Sequence, residues 1–180
     1  MILRDDGRDD AAIDSQLPTL WQHYLGGLAR NAPGRVRMLP GIRALLDALS
    51  AGEKVTLALL TGNIEPGARL KLGAIDLNDA FPFGAFGSDS SRREELPPIA
   101  AARATDTTGH TFEGRDIVII GDSIYDVRCG VPHDATTIAI ASGKTPAAML
   151  RAENPDHFFE SAEDLEGMME AIAGTKIASV

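Results

Sequence analysis

Apolar residues recur along the chain in two alternating patterns. In AAIDSQLPTLWQHYLGGLARNAPGR, residues Leu17, Leu20, Trp21, Tyr24, Leu25 and Leu28 fall at three- and four-residue steps. That spacing predicts a helix, with Pro18 in its first turn and NAPGR as its stop. Pro40-Gly41 opens a second helix with Ile42, Leu45, Leu46 and Leu49 on one face, and Gly52 closes it. VTLALL, from Val55 to Leu60, is a short apolar run bounded by Thr-Gly-Asn, the signature of a buried strand.

The alternation continues to the end of the chain. A helix is predicted over 66–72, then an aromatic strand FPFGAF, the polar loop GSDSSRREELPP and an alanine-rich helix over 99–105. IVII leads into a helix over 125–130, and TTIAIA into one over 146–152. HFFE is a last short strand and 162–173 a last helix. Unbroken apolar strands between helices predict an α/β fold, a parallel sheet with helices on both faces. Ligands of such sheets bind beyond the carboxyl ends of the strands.

Composition narrows the partners. The 180 residues suffice for one domain with a sizeable core. A net charge of −9 argues against nucleic acid as a partner, since phosphate neutralisation needs a basic face. No run approaches the roughly 20 apolar residues of a membrane span, and MILRDDGRDD lacks the apolar core of a secretory signal. The single Cys129 cannot form an intrachain disulfide and is expected in a core or interface. These features predict a cytoplasmic protein with no membrane partner, and leave the oligomeric state open.

Three strand ends carry groups capable of chemistry. VTLALL is followed by Thr61-Gly62-Asn63, IVII by Gly121-Asp122-Ser123 with Asp126 four residues on, and TTIAIA by Ser142-Gly143-Lys144-Thr145. The loop after the aromatic strand adds Arg92 and Arg93. Asp122 and Asp126 are hard oxygen ligands which, on one helical turn, would face the same side and suit Mg²⁺. Thr61 offers a hydroxyl, the Gly62 and Asn63 amides a small phosphate nest, and an arginine a bidentate partner for the same oxygens. Taken singly each has a plain structural reading. The acids could cap a helix, Thr-Gly-Asn could be a turn, and RREE a solvated charge run. Trp21, His23 and Tyr24 could face a substrate, but their helical spacing favours core packing. His110, His133 and His157 receive no role.

The order of these motifs resembles the haloacid dehalogenase superfamily, and within it phosphatases similar to phosphoglycolate phosphatase. LALLTGN is similar to that family's second motif, with Thr61 as the phosphoryl-binding hydroxyl. IVIIGDSIYDV is similar to its fourth, with Asp122 and Asp126 on the Mg²⁺ side and Ser123 where threonine is usual. FPFGAFGSDSSRREELPPIAAARA is similar to the third-motif region. There the usual lysine is absent, and Arg92 or Arg93 would take its place. The resemblance covers roughly residues 39–173. It implies a Rossmann-like core over 36–180, a partial helical cap over 1–35, Mg²⁺ as cofactor and a small phosphate monoester as substrate.

One part of the family pattern has no match. Its nucleophilic aspartate ends a first strand that lies between the strands read here as VTLALL and IVII. In LRDDGRDD, Arg4 stands where that aspartate would precede Asp6-Gly7. A sheet without this strand would have two unpaired inner edges. The resemblance leaves two accounts open: a natural protein extending upstream of Met1, or a remnant that binds phosphate or metal without catalysis. Either way, the chain as it stands is expected not to form an aspartyl-phosphate. A receiver domain would need its acids in a different order, and a dinucleotide-binding domain a glycine-rich turn after its first strand.

Overall fold

The computed structural model describes residues 9–52 and 55–174. The Arg4-Asp5-Asp6-Gly7 stretch lies outside them. Seven α-helices and five strands follow in chain order among the described residues. They are α1 (Asp10–Asn31), α2 (Ile42–Ser50), β1 (Leu59–Thr61), α3 (Glu65–Gly73), β2 (Gly84–Phe86) and α4 (Leu96–Thr108). The remainder are β3 (Val118–Gly121), α5 (Ile124–Gly130), β4 (Thr136–Ile140), α6 (Ala147–Ala152), β5 (His157–Phe159) and α7 (Leu165–Gly174). This is the α/β arrangement predicted by the alternation, with the Rossmann-like character that the family resemblance implied.

Every strand pairing is parallel. The pairings form two sheets: β1 with β2, and β3–β4–β5 in that order. Alternate residues of the second sheet point to opposite faces, as the pleat requires. Ile138 and Ile140 of β4 join Leu45 and Leu49 of α2 and Met168 and Ile172 of α7 in one core cluster. Ala139, between them, faces Val127 of α5 and Leu150 of α6. Helices thus cover both faces of β4, and all five of its residues are buried. That explains why TTIAIA reads as an unbroken apolar run rather than an alternating one.

Among the described residues no ladder joins β1 to β3. Leu60 of β1 packs on the cluster of Ile119, Cys129 and Ala135, so among the described residues β1 meets the second sheet through side chains rather than a ladder. The three β1 residues are only half-buried, unlike those of β4. Cys129 is buried, as expected.

Three expectations needed adjustment. VTLALL contributes only Leu59 and Leu60 to β1, which runs on to Thr61 and pairs with β2 alone. FPFGAF becomes a strand only from Gly84, after Pro82, which has no amide to donate. Gly84 is required there, because a Cβ would lie 2.3 Å from the Leu59 carbonyl oxygen. Finally, α1 starts before Pro18, at Asp10, with Asp9 accepting from the Ala12 amide at 2.7 Å as its cap. Pro18 is therefore inside the helix, where one backbone bond is forgone. Gly41 starts α2 at φ 80° with its Cα against Ala162, where a Cβ would overlap backbone at 2.1 Å.

Candidate active site

β1 delivers Thr61 to the carboxyl edge of the first sheet. Its Oγ1 accepts from the Asn63 amide at 3.2 Å and tightens the turn. As a hydroxyl it still has a proton to donate. Gly87 closes the turn from the other side, donating to the Asn63 carbonyl at 2.8 Å. The contact is so close that a Cβ on Gly87 would lie 2.1 Å from the Gly62 oxygen. The Asn63 side chain is held by α1, since Tyr24 Oη donates to its Oδ1 at 2.9 Å. Asn63 Nδ2 is buried and has no hydrogen-bond partner. Gly67 makes room for this arrangement: a Cβ there would be 2.9 Å from the Tyr24 ring and 3.0 Å from Asn63 Oδ1.

The two arginines separate cleanly. Arg92 is 66% exposed and pairs with Glu94 and Glu95 at 3.0 and 3.1 Å. Arg93 starts a 3₁₀ turn, is 24% exposed and turns inward to Asp126, to which its Nη2 donates. Its Nη1 lies over Gly62, 3.5 Å from where a Cβ would stand, while its buried Nε has no partner. Of the two arginines, Arg93 is the one that links the Gly62 turn to Asp126.

The acids do not share a helical face. Asp122 precedes the cap residue Ser123, so it lies outside α5, and the i, i+4 helical argument does not apply to it. Asp126 takes the capping role as well: its Oδ2 accepts from the Ser123 amide at 3.1 Å, and Ser123 Oγ accepts from the Tyr125 amide at 3.1 Å. Gly121 admits the Asp126 carboxylate, which would sit 2.3 Å from a Cβ there. Asp126 is 9% exposed. Burial lifts its carboxyl above the ordinary range, and the Arg93 guanidinium offsets that only in part.

Asp122 differs in having no hydrogen-bond donor among the described residues. Its carboxylate lies on Gly143, close enough that a Cβ would be 1.8 Å from Oδ2. It borders an open cleft of about 610 Å³ together with Ser123. The donor set fits Mg²⁺ through Asp122, because this ion takes one or two carboxylates and fills its other positions with water and phosphate oxygens. Both oxygens of Asp126 are already engaged. Among the described residues no three His, Cys, Asp or Glu side chains cluster as ligands.

Sequence reasoning weighed Tyr24 as a substrate-facing residue but ranked core packing above it. Trp21 is 40% and Tyr24 38% exposed, and His23 is exposed too, so the expected core packing of all three is not found. The contact joins residues 39 apart in sequence, and nothing local signals it. His133 is held by the Glu94 backbone oxygen at 2.7 Å.

A parallel α/β layer with a hydroxyl, a guanidinium and carboxylates at its strand ends defines a class, and sequence comparison gives the family within it. The model of haloacid dehalogenase-like hydrolases matches residues 5–130, and a HAD-hydrolase-like model matches residues 96–165. The chain belongs to the haloacid dehalogenase-like hydrolases.

Solved structures of similar fold include a hydrolase from Pseudomonas syringae, 24% identical, with TM-score 0.62 over 75% of this chain and 63% of that one. A haloacid dehalogenase-like protein from Streptococcus pneumoniae is 19% identical, with TM-score 0.62 over 74% and 60%. A predicted phosphoglycolate phosphatase from Haemophilus somnus is 19% identical, with TM-score 0.59 over 74% and 57%. The chain spans about three fifths of the length of these structures. No curated protein matches it. Among the described residues no helix is long and apolar enough to cross a membrane.

Proposed function

We propose that the chain carries the phosphoryl- and metal-binding part of a Mg²⁺-dependent phosphatase acting on a small phosphate monoester of the phosphoglycolate kind. In this reading residues 36–180 are the core and α1 belongs to a cap. The Thr61 hydroxyl, the Gly62 and Asn63 amides and the free Asn63 Nδ2 hold phosphoryl oxygens. Arg93 offsets their charge through Nη1 and Nε, while Asp126 fixes the guanidinium in place. Asp122 is the residue that would hold Mg²⁺, which supplies charge neutralisation on the phosphoryl group. Most catalysis of phosphoryl transfer is positioning and electrostatics, and this donor set suits both.

One observation carries the reading: Arg93 contacts Asp126 and covers Gly62, joining two strand-end motifs at one place. Among the described residues β1 pairs with β2 alone and β3 with β4 alone, so no strand between β1 and β3 carries an aspartate. The chain by itself is therefore expected to bind phosphate without hydrolysing an ester through an aspartyl-phosphate.

Calorimetry and para-nitrophenyl phosphate hydrolysis test this together. The expected result is Mg²⁺-dependent binding of inorganic phosphate, lost in Asp122→Asn, with no turnover. Absence of phosphate binding in the folded wild-type chain would overturn the reading. Turnover abolished by Asp122→Asn would overturn the expected inactivity.

A further inference from the structure

α1 is a helix of 22 residues, yet none of its residues from 11 to 31 is buried. It packs on α3, with Tyr24 against Gly67, but Leu20, Trp21 and Tyr24 remain exposed. Helices in proteins are held mostly by burial of an apolar face, and α3 covers only part of this one. Ile13, Leu17, Trp21, Leu25 and Ala29 fall at successive four-residue steps. Such positions form one ridge along a helix. The C-terminal end of the ridge borders an open cleft of about 690 Å³. Leu25 and Ala29 line it from α1, and Pro66, Leu70, Gly73 and Ala74 from α3 and its cap. Charge follows the same axis. Residues 15–29 carry no Asp, Glu, Lys or Arg. Exposed Asp9 and Asp14 precede that stretch, and exposed Arg30 and Arg35 follow it.

We propose that this ridge is an interface between two copies of the chain, packed antiparallel about a two-fold axis at Trp21. A two-fold contact brings the same patch of both copies together, so the two ends of the ridge must suit each other. They do. Ile13 and Leu17 of one copy lie over Ala29 and Leu25 of the other, entering its cleft where glycine and alanine leave room. Asp9 and Asp14 then approach the end that carries Arg30 and Arg35 in the other copy, whereas a parallel pairing would set like charges side by side. The helix dipoles also oppose one another in the antiparallel arrangement. Trp21, at the axis, is an aromatic anchor of the kind that dominates interface energies. The inference stands apart from the phosphatase reading, since no ridge residue belongs to the phosphoryl site.

Trp21 is the only tryptophan of the chain, so the wild-type protein reports on the contact. Sedimentation velocity and tryptophan emission are followed from low to high micromolar concentration of the full chain. The mass should rise to twice that of one chain, and the emission should move to shorter wavelength in step as water leaves the indole. Leu70→Asp and Ala29→Glu, on opposite walls of the cleft, should each weaken dimerisation about tenfold or more. Both should keep the emission at the monomer position with an unchanged far-ultraviolet circular dichroism spectrum. Asp14→Arg should weaken the dimer, and adding Arg30→Asp should restore it. These two residues are about 24 Å apart along one helix, so they can meet only between copies. A monomer throughout would overturn the inference and leave the face to a different occupant. A dimer with unshifted tryptophan emission, a dimer that survives both cleft substitutions, or a failure of Arg30→Asp to rescue Asp14→Arg would overturn it as well.

Discussion

Arg93 reaches across 33 residues of sequence to donate to the buried Oδ1 of Asp126, tying the loop before α4 to the first turn of α5. Removing one member of such a pair leaves the other buried without its counter-charge, whereas removing both does not. Arg93→Ala should therefore destabilise the fold by about 3 kcal/mol, with much of that recovered on adding Asp126→Asn. Arg92→Ala should leave the urea midpoint unchanged, because its partners lie in solvent. Urea unfolding of the four proteins measures this. A double variant no more stable than Arg93→Ala would show that the two residues are not coupled.

Tyr24 holds Asn63 Oδ1 and thereby orients the free Nδ2. Tyr24→Phe keeps the ring against Gly67 and deletes only the hydroxyl, which should cost roughly 1 kcal/mol of stability. Inorganic phosphate binding should weaken along with it, because the Asn63 amide is then free to rotate. Titration of Tyr24→Phe and wild type with phosphate reads the effect, and unchanged affinity would separate α1 from the phosphoryl loop.

Gly41 and Gly109 both have a left-handed backbone, at φ 80° and 76°, but differ in surroundings. Nothing lies within 4 Å of a Cβ at Gly109, whereas one at Gly41 would strike the Ala162 backbone. Gly109→Ala should cost about 1 kcal/mol, the conformational penalty alone. Gly41→Ala should cost roughly 2 kcal/mol or more, since α2 must also move from the segment before α7. Thermal unfolding of both variants checks the difference; similar shifts would mean that Ala162 yields freely.

Acid stability has two opposing contributions. Arg103, donating to Asp89 at 2.7 and 2.9 Å, holds that carboxyl below its ordinary value of 3.8, aided by the Phe86 amide and opposed by burial. Its stabilisation is present above 3.8 and lost as pH falls through the lower folded value. Asp126 behaves in the opposite sense. Its folded value is raised by burial, so its contribution to stability is largest below 3.8 and declines as pH rises through the folded value. Melting temperature followed against pH should show a flatter acid limb in Asp89→Asn than in wild type. Asp126→Asn should instead remove a decline at higher pH. An Asp89→Asn profile parallel to wild type would discount the Arg103 pair.

The order of elements and the strand ends bearing Thr61, Asp122 and Lys144 were legible in the sequence, since periodicity and turn residues act over a few neighbours. The choice between Arg92 and Arg93 was not. Adjacent residues with the same side chain look alike in sequence, and only the 3₁₀ turn sends one to solvent and the other to Asp126. The role of Asp126 was legible only as an alternative, because a helix-capping carboxylate and a metal-binding carboxylate look alike after a strand. The structure shows the capping contact, with Asp126 Oδ2 accepting from the Ser123 amide. The exposure of Trp21 and Tyr24 was hidden by a spacing that serves a buried face and an outward one equally.

The amino-acid sequence by itself determined an α/β chain with parallel strands, and placed a hydroxyl, a basic loop and two acids directly after separate strands. Tertiary structure decided which of those groups meet. It joined Arg93 to Asp126, left Asp122 free beside a cleft, brought Tyr24 onto Asn63 and divided the strands into two sheets. The reason is range: helix and strand preferences are settled within one or two turns of chain, while these meetings depend on packing between segments tens of residues apart.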